Sequence, residues 1–403
     1  MTSTLTSPRV ASAQATPRKT RVESVDLLRG IAMIIMALDH VRDYFHYSAY
    51  QFDPTDLSRT TVPIFLTRWI THFCAPVFVL LAGTAAYLYG QKKGIPALTR
   101  FLFTRGLWLI FVEMVIVTLG WTFNLYFNFP ILQVIWAIGV SMIVLSVLVR
   151  LPLSAIVVAG VILVAGHNSL DGIHVPGTGT KAILWSFLHD QRFFPHFAMG
   201  YPIIPWIGIM ALGYTMGYWY GPAYDAARRR KNLAITGAGA LLLFLLLRAI
   251  NMYGDPHPWA TQKTPIFTVL SFINVNKYPP SLDYVLLMLG PALIFLSIAE
   301  RRPLKAVGRA ITVYGRVPMF YYLIHIFVIH ALAILGVVYC GYPARDMTMI
   351  QTWVTADARL SGYGFNLITV YLIWIAVVIG LYPLCRWYDR YKRTHSYWWL
   401  SYL

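Results

Sequence analysis

The chain has few charged residues and few cysteines for its length. Of its 403 residues only 12% are charged, whereas 58% are hydrophobic. This composition excludes an ordinary soluble protein. The three cysteines, Cys74, Cys340 and Cys385, show no paired spacing. The sequence therefore predicts neither a disulfide framework nor a zinc knuckle.

Several common sequence motifs are also missing. There is no internal repeat of the kind that marks many transporters, and no nucleotide-binding loop or dinucleotide fingerprint. No separate signal-peptide region precedes the first apolar segment. We therefore expect residues 1–21, which are rich in Ser, Thr and Ala, to form a disordered basic cytoplasmic tail ahead of an uncleaved first helix.

Apolar runs of about 18 to 25 residues dominate the rest of the chain, and such runs are typical of transmembrane helices. The predicted fold class is therefore an all-α polytopic membrane protein. We predict ten spans, at about 27–46, 64–90, 99–121, 130–149, 152–167, 203–220, 232–251, 282–299, 316–339 and 365–385. The predicted transmembrane domain covers residues 22–386, and residues 387–403 form a basic and aromatic cytoplasmic tail.

The positions of Lys and Arg predict the orientation in the membrane. The net charge is +17, and 21 of the 33 basic residues fall in segments that lie inside if the N-terminus is inside. We interpret this charge as a topology signal and expect no nucleic-acid partner. Both termini are predicted to be cytoplasmic. We expect a multi-pass protein embedded in the lipid bilayer of the cell membrane (the inner or plasma membrane).

The first apolar helix carries ionisable side chains that membranes rarely tolerate. Asp26, Arg29 and His40 fall on nearly one face, because 14 residues at ~100° each make almost a whole number of turns. His40 lies roughly 21 Å along the helix from Asp26. Ionisable groups in a bilayer are costly and are functional candidates by default. Asp26 can also serve simply as a helix cap, with Arg29 as its ion-pair partner.

Further polar side chains occur in other predicted spans. Arg68 and His72 lie in the second span, and His330 lies in the outer half of the ninth. These groups would converge with His40 on one outward-facing cavity if their helices were neighbours. A histidine in a span can instead simply hydrogen-bond to an adjacent helix, and this is the interpretation we prefer for His325.

A histidine in a dry cavity near a carboxylate suits general-base catalysis. We expect His40 to take a proton from a hydroxyl or amine that attacks an acyl donor, or to be acylated itself, with Asp39 or Asp43 tuning it. Lys277 is either part of a rigid Pro-Pro segment or a cation that reaches a substrate phosphate or carboxylate. No metal-ligand spacing is present, so no metal is predicted.

The residues of the first helix resemble those of known membrane enzymes. Asp26-x-x-Arg29-Gly30-x9-His40 is similar to the opening motif of acyltransferase-3-type proteins. More of the chain resembles bacterial proteins related to the catalytic domain of the lysosomal heparan-alpha-glucosaminide N-acetyltransferase. The matching stretches are 24–33, 68–83, 201–208, 276–282 and 315–325.

This resemblance implies an integral-membrane acyltransferase. Such proteins use cytosolic acyl-CoA, commonly acetyl-CoA, as co-substrate and modify a hydroxyl or amine acceptor, often a carbohydrate, on the far side of the membrane. For the oligomeric state of the protein, we consider a homodimer. The predicted catalytic residues are His40, His46, Asp39 and His72, and the predicted substrate- or CoA-binding residues are Arg29, Asp26, Arg68, Lys277 and His330.

Two histidines compete for the role of catalytic base. The lysosomal enzyme has asparagine where His40 stands, and its catalytic histidine comes just beyond the first helix, roughly where His46 lies. The spacing from Arg29 nominates His40, which we prefer, and the position after the helix nominates His46. The alternative function is a proton-coupled transporter that uses intramembrane His, Asp and Glu residues. A third candidate function is that of an assembly protein whose polar groups only hold helices together.

Overall fold

The computed structural model describes residues 22–301, 303–350 and 358–401. The predicted tail of residues 1–21 lies outside the described residues. The helices are α1 (Glu23–Phe45), α2 (Val62–Thr71), α3 (Cys74–Lys93), α4 (Ile95–Val112), α5 (Thr118–Thr122), α6 (Val134–Leu148), α7 (Leu153–Ala165), α8 (Thr180–Leu188), α9 (Ile204–Met216), α10 (Ala226–Ile250), α11 (Pro265–Ile273), α12 (Leu282–Ala299), α13 (Ala306–Arg316), α14 (Pro318–Tyr339) and α15 (Leu367–Thr394).

Among the described residues, six helical segments are long and apolar enough to cross a membrane. They are α2–α3, α4–α5, α10, α12, α14 and α15, whereas α6 and α7 are shorter apolar helices. Helices occupy all ten predicted span positions. The prediction of a helical, polytopic membrane protein is confirmed, while the count of ten spans and the side on which the termini lie stay predictions.

A small sheet interrupts the helical architecture. Its strands are β1 (Ile131–Leu132), β2 (Arg192–Phe194) and β3 (Phe197–Met199), in the order β1-β3-β2. β3 pairs in parallel with β1 and antiparallel with β2. The β2–β3 hairpin, which the sequence analysis did not predict, thereby joins the loop after α8 to the segment before α6.

The helix α1 lies inside the bundle, where it packs against α2, α3, α12, α13, α14 and α15. Its polar residues Asp26, His40 and Arg42 are all buried within the protein. Charged groups are far less costly against other polar groups in a bundle interior than against lipid. The charge pattern of α1 therefore explains why this helix is central.

Two glycines allow the backbones of α1 and α13 to touch. A Cβ atom on Gly30 would overlap the carbonyl oxygen of Ile311, and one on Gly315 would overlap that of Asp26. Small residues at helix crossings permit this close approach in membrane proteins. Gly30, the glycine that follows Arg29 in the motif, thus has a packing role.

A buried carboxylate fixes the start of α6. Glu113 begins the π-helical turn Glu113–Val117 between α4 and α5. It accepts backbone N–H hydrogen bonds from Gln133 at 3.2 Å and from Trp136 at 2.9 Å. A carboxylate at a helix N-terminus satisfies otherwise unpaired donors and complements the helix dipole. Glu113 is thereby a structural group that holds Gln133 in place.

Gly30→Ala should destabilise the protein by about 1–3 kcal/mol, because the added methyl group forces α1 and α13 apart. The measurement is thermal unfolding of the purified protein in detergent. Gly380→Ala in α15 is the matched control, since a Cβ there meets no atom within 4 Å. That change should leave stability unaltered or raise it by up to about 1 kcal/mol. Equal unfolding temperatures for Gly30→Ala and the parent would contradict the packing role.

Candidate active site

A polar cavity lies beside the second half of α1. Its volume is about 620 Å³, and its lining includes Asp39, His40, Arg68 and Lys277. The structure therefore brings together four of the predicted site residues, which come from α1, from α2 and from the segment before α12. The expected convergence on one cavity is therefore met for His40 and Arg68, whereas His72 and His330 are not part of the lining.

A second, apolar cavity lies beside the first half of α1. Its volume is about 350 Å³, and its lining includes Arg29 of α1 and Arg105 of α4 among mainly apolar side chains. The two cavities adjoin, because they share the lining residues Met36, Phe78, Val134 and Tyr322. We call these four residues the constriction.

One face of α1 runs along both cavities. Arg29, Met33 and Met36 line the apolar cavity, and Met36 and His40 line the polar one. The steps of four, three and four residues place these side chains on one stripe of the helix. Arg29 and His40 are separated by about 16 Å of helix. The stripe thus carries a cation at one end and an imidazole close to the constriction.

The imidazole of His40 is held by a second histidine. His40 Nδ1 lies 2.8 Å from Nε2 of His325 on α14, and His325 Nδ1 lies 3.0 Å from the carbonyl oxygen of Tyr321. The edge of His40 also packs on Trp121, with ring centroids 4.9 Å apart. Both histidines are buried.

This hydrogen-bond chain determines which nitrogen of His40 carries the proton. The carbonyl of Tyr321 can only accept, so Nδ1 of His325 donates to it, and Nε2 of neutral His325 is an acceptor. Nδ1 of His40 therefore donates to His325, and Nε2 of His40 is left with its lone pair. Nε2 has no hydrogen-bond partner within the described residues, so it is available to a molecule in the polar cavity.

Asp39 is part of an ion-pair network and does not touch His40. Its carboxylate oxygens lie 2.7 and 2.8 Å from Nη1 of Arg68, 2.9 Å from Arg42 and 2.9 Å from the hydroxyl of Thr71. Arg42 also pairs with Asp43. Charge-assisted hydrogen bonds of this kind are strong and directional. The network ties α1 to α2 and forms one wall of the polar cavity.

Two further groups present hydrogen-bond donors to the polar cavity. Lys277 is buried, with its ammonium 5.1 Å from the ring centroid of Tyr278. Gln133 also lines the cavity, and its side-chain nitrogen is buried with no hydrogen-bond partner among the described residues. Both groups are placed to bind polar atoms of a substrate.

His46 is turned away from both cavities. It follows the last residue of α1 and is 1% exposed. Its Nδ1 accepts a hydrogen bond from the backbone N–H of Ser48 at 3.2 Å, and the hydroxyl of Ser48 lies 2.6 Å from the same atom. This histidine is a cap for the turn Tyr47–Tyr50, so of the two candidate bases only His40 faces a cavity.

His72 and His330 also lie outside the lining of both cavities. His72 occupies the break between α2 and α3, where the hydroxyl of Tyr284 donates to its backbone oxygen at 2.6 Å. The nitrogens of His330 lie 2.8 Å from the carbonyl oxygen of Gly120 and 2.7 Å from that of Met347. The structure thus places His330 as a link between α14, α5 and the turn at Met347. Their predicted catalytic and binding roles gain no support from this placement.

Asp26 and Arg29 form the pair that the sequence suggested. Nη1 of Arg29 lies 3.5 Å from the carboxylate of Asp26 and donates to the backbone oxygen of Gly315 at 3.1 Å. Asp26 is buried and outside the cavity lining, whereas Arg29 lines the apolar cavity. Asp26 accordingly orients Arg29.

The role of His325 was not predicted from the sequence. This histidine was expected to hydrogen-bond to a neighbouring helix, and it does so, but its partner there is His40 itself. Gln133 and Tyr322 were also missed, because a single glutamine or tyrosine beside an apolar run carries no distinctive signal. A histidine on each of two spans at similar depth is the one pattern that points to the His40–His325 pair.

The comparison with known proteins identifies a family for the chain. Residues 21–253 match the family model described as heparan-alpha-glucosaminide N-acetyltransferase, catalytic. No curated protein matches the chain. The matched segment is more than half of the chain and contains Arg29, Asp39, His40 and Arg68, whereas Lys277 and His325 lie beyond it. The match implies transferase activity in a membrane protein. The resemblance found in the sequence is thereby confirmed, and the chain belongs to the family of the heparan-alpha-glucosaminide N-acetyltransferase catalytic domain.

Proposed function

We propose that the protein transfers an acetyl group from cytosolic acetyl-CoA to a hydroxyl or amine of an acceptor on the other side of the membrane. The observation that carries this proposal is the position of His40. It lies in the polar cavity next to the constriction, with Nδ1 bound to His325 and Nε2 without a partner among the described residues.

The apolar cavity suits the acetyl-bearing arm of acetyl-CoA. Its lining of Met, Leu, Ile and aromatic side chains favours an extended, weakly polar chain. Arg29 and Arg105 offer guanidinium groups to the phosphates, which they bind through paired N–H donors. The basic residues Arg228–Lys231 in the first turns of α10 lie at the same end of the bundle as the start of α1, because Arg229 and Ser24 both bind Glu300, and they favour a cytoplasmic position for this cavity.

The polar cavity suits a carbohydrate acceptor. Asp39, Arg68, Gln133 and Lys277 supply hydrogen-bond donors and acceptors in its wall, and Tyr201 supplies an aromatic surface. Pockets that bind polar ligands combine apolar or aromatic walls with a few well-placed polar groups in this way. The ammonium of Lys277 further suits an acceptor that carries a negative group.

The reaction follows from the proton positions. The acceptor hydroxyl or amine gives its proton to Nε2 of His40 as its oxygen or nitrogen attacks the thioester carbonyl carbon. The new C–O or C–N bond forms, the C–S bond breaks, and the CoA thiolate takes the proton back from the imidazolium. While His40 is charged, it still donates through Nδ1 to His325, so the pair keeps its geometry throughout.

His40→Ala should lower kcat by about 10²–10⁴-fold, the usual contribution of a general base, while the protein stays folded. The measurement is acetyl transfer from labelled acetyl-CoA to a carbohydrate acceptor by the purified protein. His325→Ala should give a smaller loss, because the base remains but loses its orientation.

His46→Asn is the matched control for this experiment, since the side chain caps a turn outside the cavities. It should keep near-parental kcat. Loss of activity in His46→Asn with full activity in His40→Ala would overturn the assignment. If acid is used to stop the reaction and the label from acetyl-CoA is then found on a histidine, the mechanism would instead include a covalent acetyl-enzyme. Substrate flux into proteoliposomes without acyl-CoA would support the transporter alternative.

Arg29→Ala combined with Arg105→Ala should raise KM for acetyl-CoA with little change in kcat, because both guanidinium groups lie away from the reacting carbon. Arg100→Ala is the control, since Arg100 is exposed on the same helix as Arg105 but is not part of the cavity lining. KM and kcat are obtained from initial rates measured at increasing acetyl-CoA concentrations and one fixed acceptor concentration. An unchanged KM in the double variant would place the CoA phosphates elsewhere.

A further inference from the structure

A second cluster of ionisable side chains lies apart from His40, in the loops between α7 and α9. Nδ1 of His167 is 3.1 Å from Nε2 of His189, and this Nε2 is 3.6 Å from Oδ1 of Asp171. All three of these atoms lie within 4.8 Å of one another. Two imidazole nitrogens and one carboxylate oxygen therefore point to a common centre.

These spacings match the first coordination sphere of a transition metal. Zinc binds histidine nitrogen and carboxylate oxygen at about 2.0–2.2 Å, usually in a tetrahedron. The edge of such a tetrahedron is about 3.4 Å, which lies between the two observed separations. A nitrogen-rich donor set with one carboxylate favours zinc-type cations over calcium or magnesium.

The surroundings of the cluster are also those of a metal site. The side chains of His167 and His189 are buried, while Asp171 is partly exposed and leaves a path from solvent. The amide of Asn168 donates to the second carboxylate oxygen of Asp171 at 2.7 Å. Such outer hydrogen bonds orient metal-binding carboxylates.

We propose that His167, Asp171 and His189 bind one divalent cation of the zinc type. In the metal-free protein Nε2 of His189 lies 3.1 Å from Nδ1 of His167 and 3.0 Å from the backbone oxygen of His167. On metal binding, a ring whose facing nitrogen carries the proton moves that proton to its other nitrogen, so both rings stay neutral and their two lone pairs and the carboxylate become the ligands. A water molecule completes the tetrahedron.

The position of the cluster gives the cation a role in the fold. His189 lies two residues before Gln191, and the following hairpin contributes Phe193 and Ala198 to the wall of the polar cavity. The side-chain oxygen of Asn168 also accepts a hydrogen bond from the backbone N–H of Leu282 at the start of α12. The ion would thereby hold the β2–β3 hairpin and the segment before α12, which both contribute to the wall of the polar cavity, in a fixed relative position.

The test is zinc binding by the intact purified protein, without acetyl-CoA or acceptor. After zinc loading and dialysis, elemental analysis should give about one zinc per chain, and zinc should raise the unfolding temperature above that in EDTA, because it binds the native state. His189→Ala and Asp171→Asn should lose both effects. Asp171→Asn preserves the shape of the side chain, so it tests the site even if His189→Ala fails to fold.

His196→Ala is the matched control, since His196 lies exposed at the tip of the same hairpin. It should retain the zinc and the stabilisation. The proposal is overturned if the parent binds no more zinc than Asp171→Asn, or if His196→Ala loses zinc as well. Because no transfer reaction is measured, a negative result here leaves the assignment of His40 untouched.

Discussion

The cost of placing charged side chains in a hydrocarbon layer determines where α1 lies, and the rest of the bundle is arranged around it. A helix that carries Asp26, Arg29, Asp39, His40 and Arg42 is stable in a membrane only if protein surrounds it and partners satisfy its charges. The structure meets this condition with six helices packed around α1 and with ion pairs such as Asp39–Arg68. The ionisable residues thereby lie inside the bundle, where Asp39, His40 and Arg42 line the polar cavity and Arg29 lines the apolar one.

Within that region, the backbone and not a carboxylate determines the state of the candidate base. The carbonyl of Tyr321 orients His325, and His325 orients His40. A carboxylate in the position of His325 would attract the proton of His40 more strongly and stabilise the imidazolium. A neutral histidine partner keeps the orientation and leaves the imidazole ready to accept a proton. The opposite charges of Asp39 and Arg68 largely compensate each other nearby.

Hydropathy was sufficient to predict where the long apolar helices lie, because each apolar run carries its own signal. Depth along a helix likewise follows from residue count, so Arg29 and His40 were placed at opposite ends of one face. The partner of His40 could not be predicted, since it lies 285 residues away and depends on how α1 and α14 pack. His46 and His330 could not be distinguished from His40 in the sequence either, since His46 is directed to the backbone of a local turn and His330 to backbone oxygens of Gly120 and Met347.

The constriction of Met36, Phe78, Val134 and Tyr322 has a consequence for the energetics of the cell. A protein with cavities open toward both faces of a membrane risks becoming a leak for ions and protons. In the proposed orientation, where the two cavities face opposite sides of the membrane, these three apolar side chains and one phenol would form an apolar barrier between them, which a hydrated ion crosses only at high cost. Under the proposed chemistry, only a two-carbon group has to reach this point. The enzyme would then move acetyl groups across the bilayer while the electrochemical gradient remains intact.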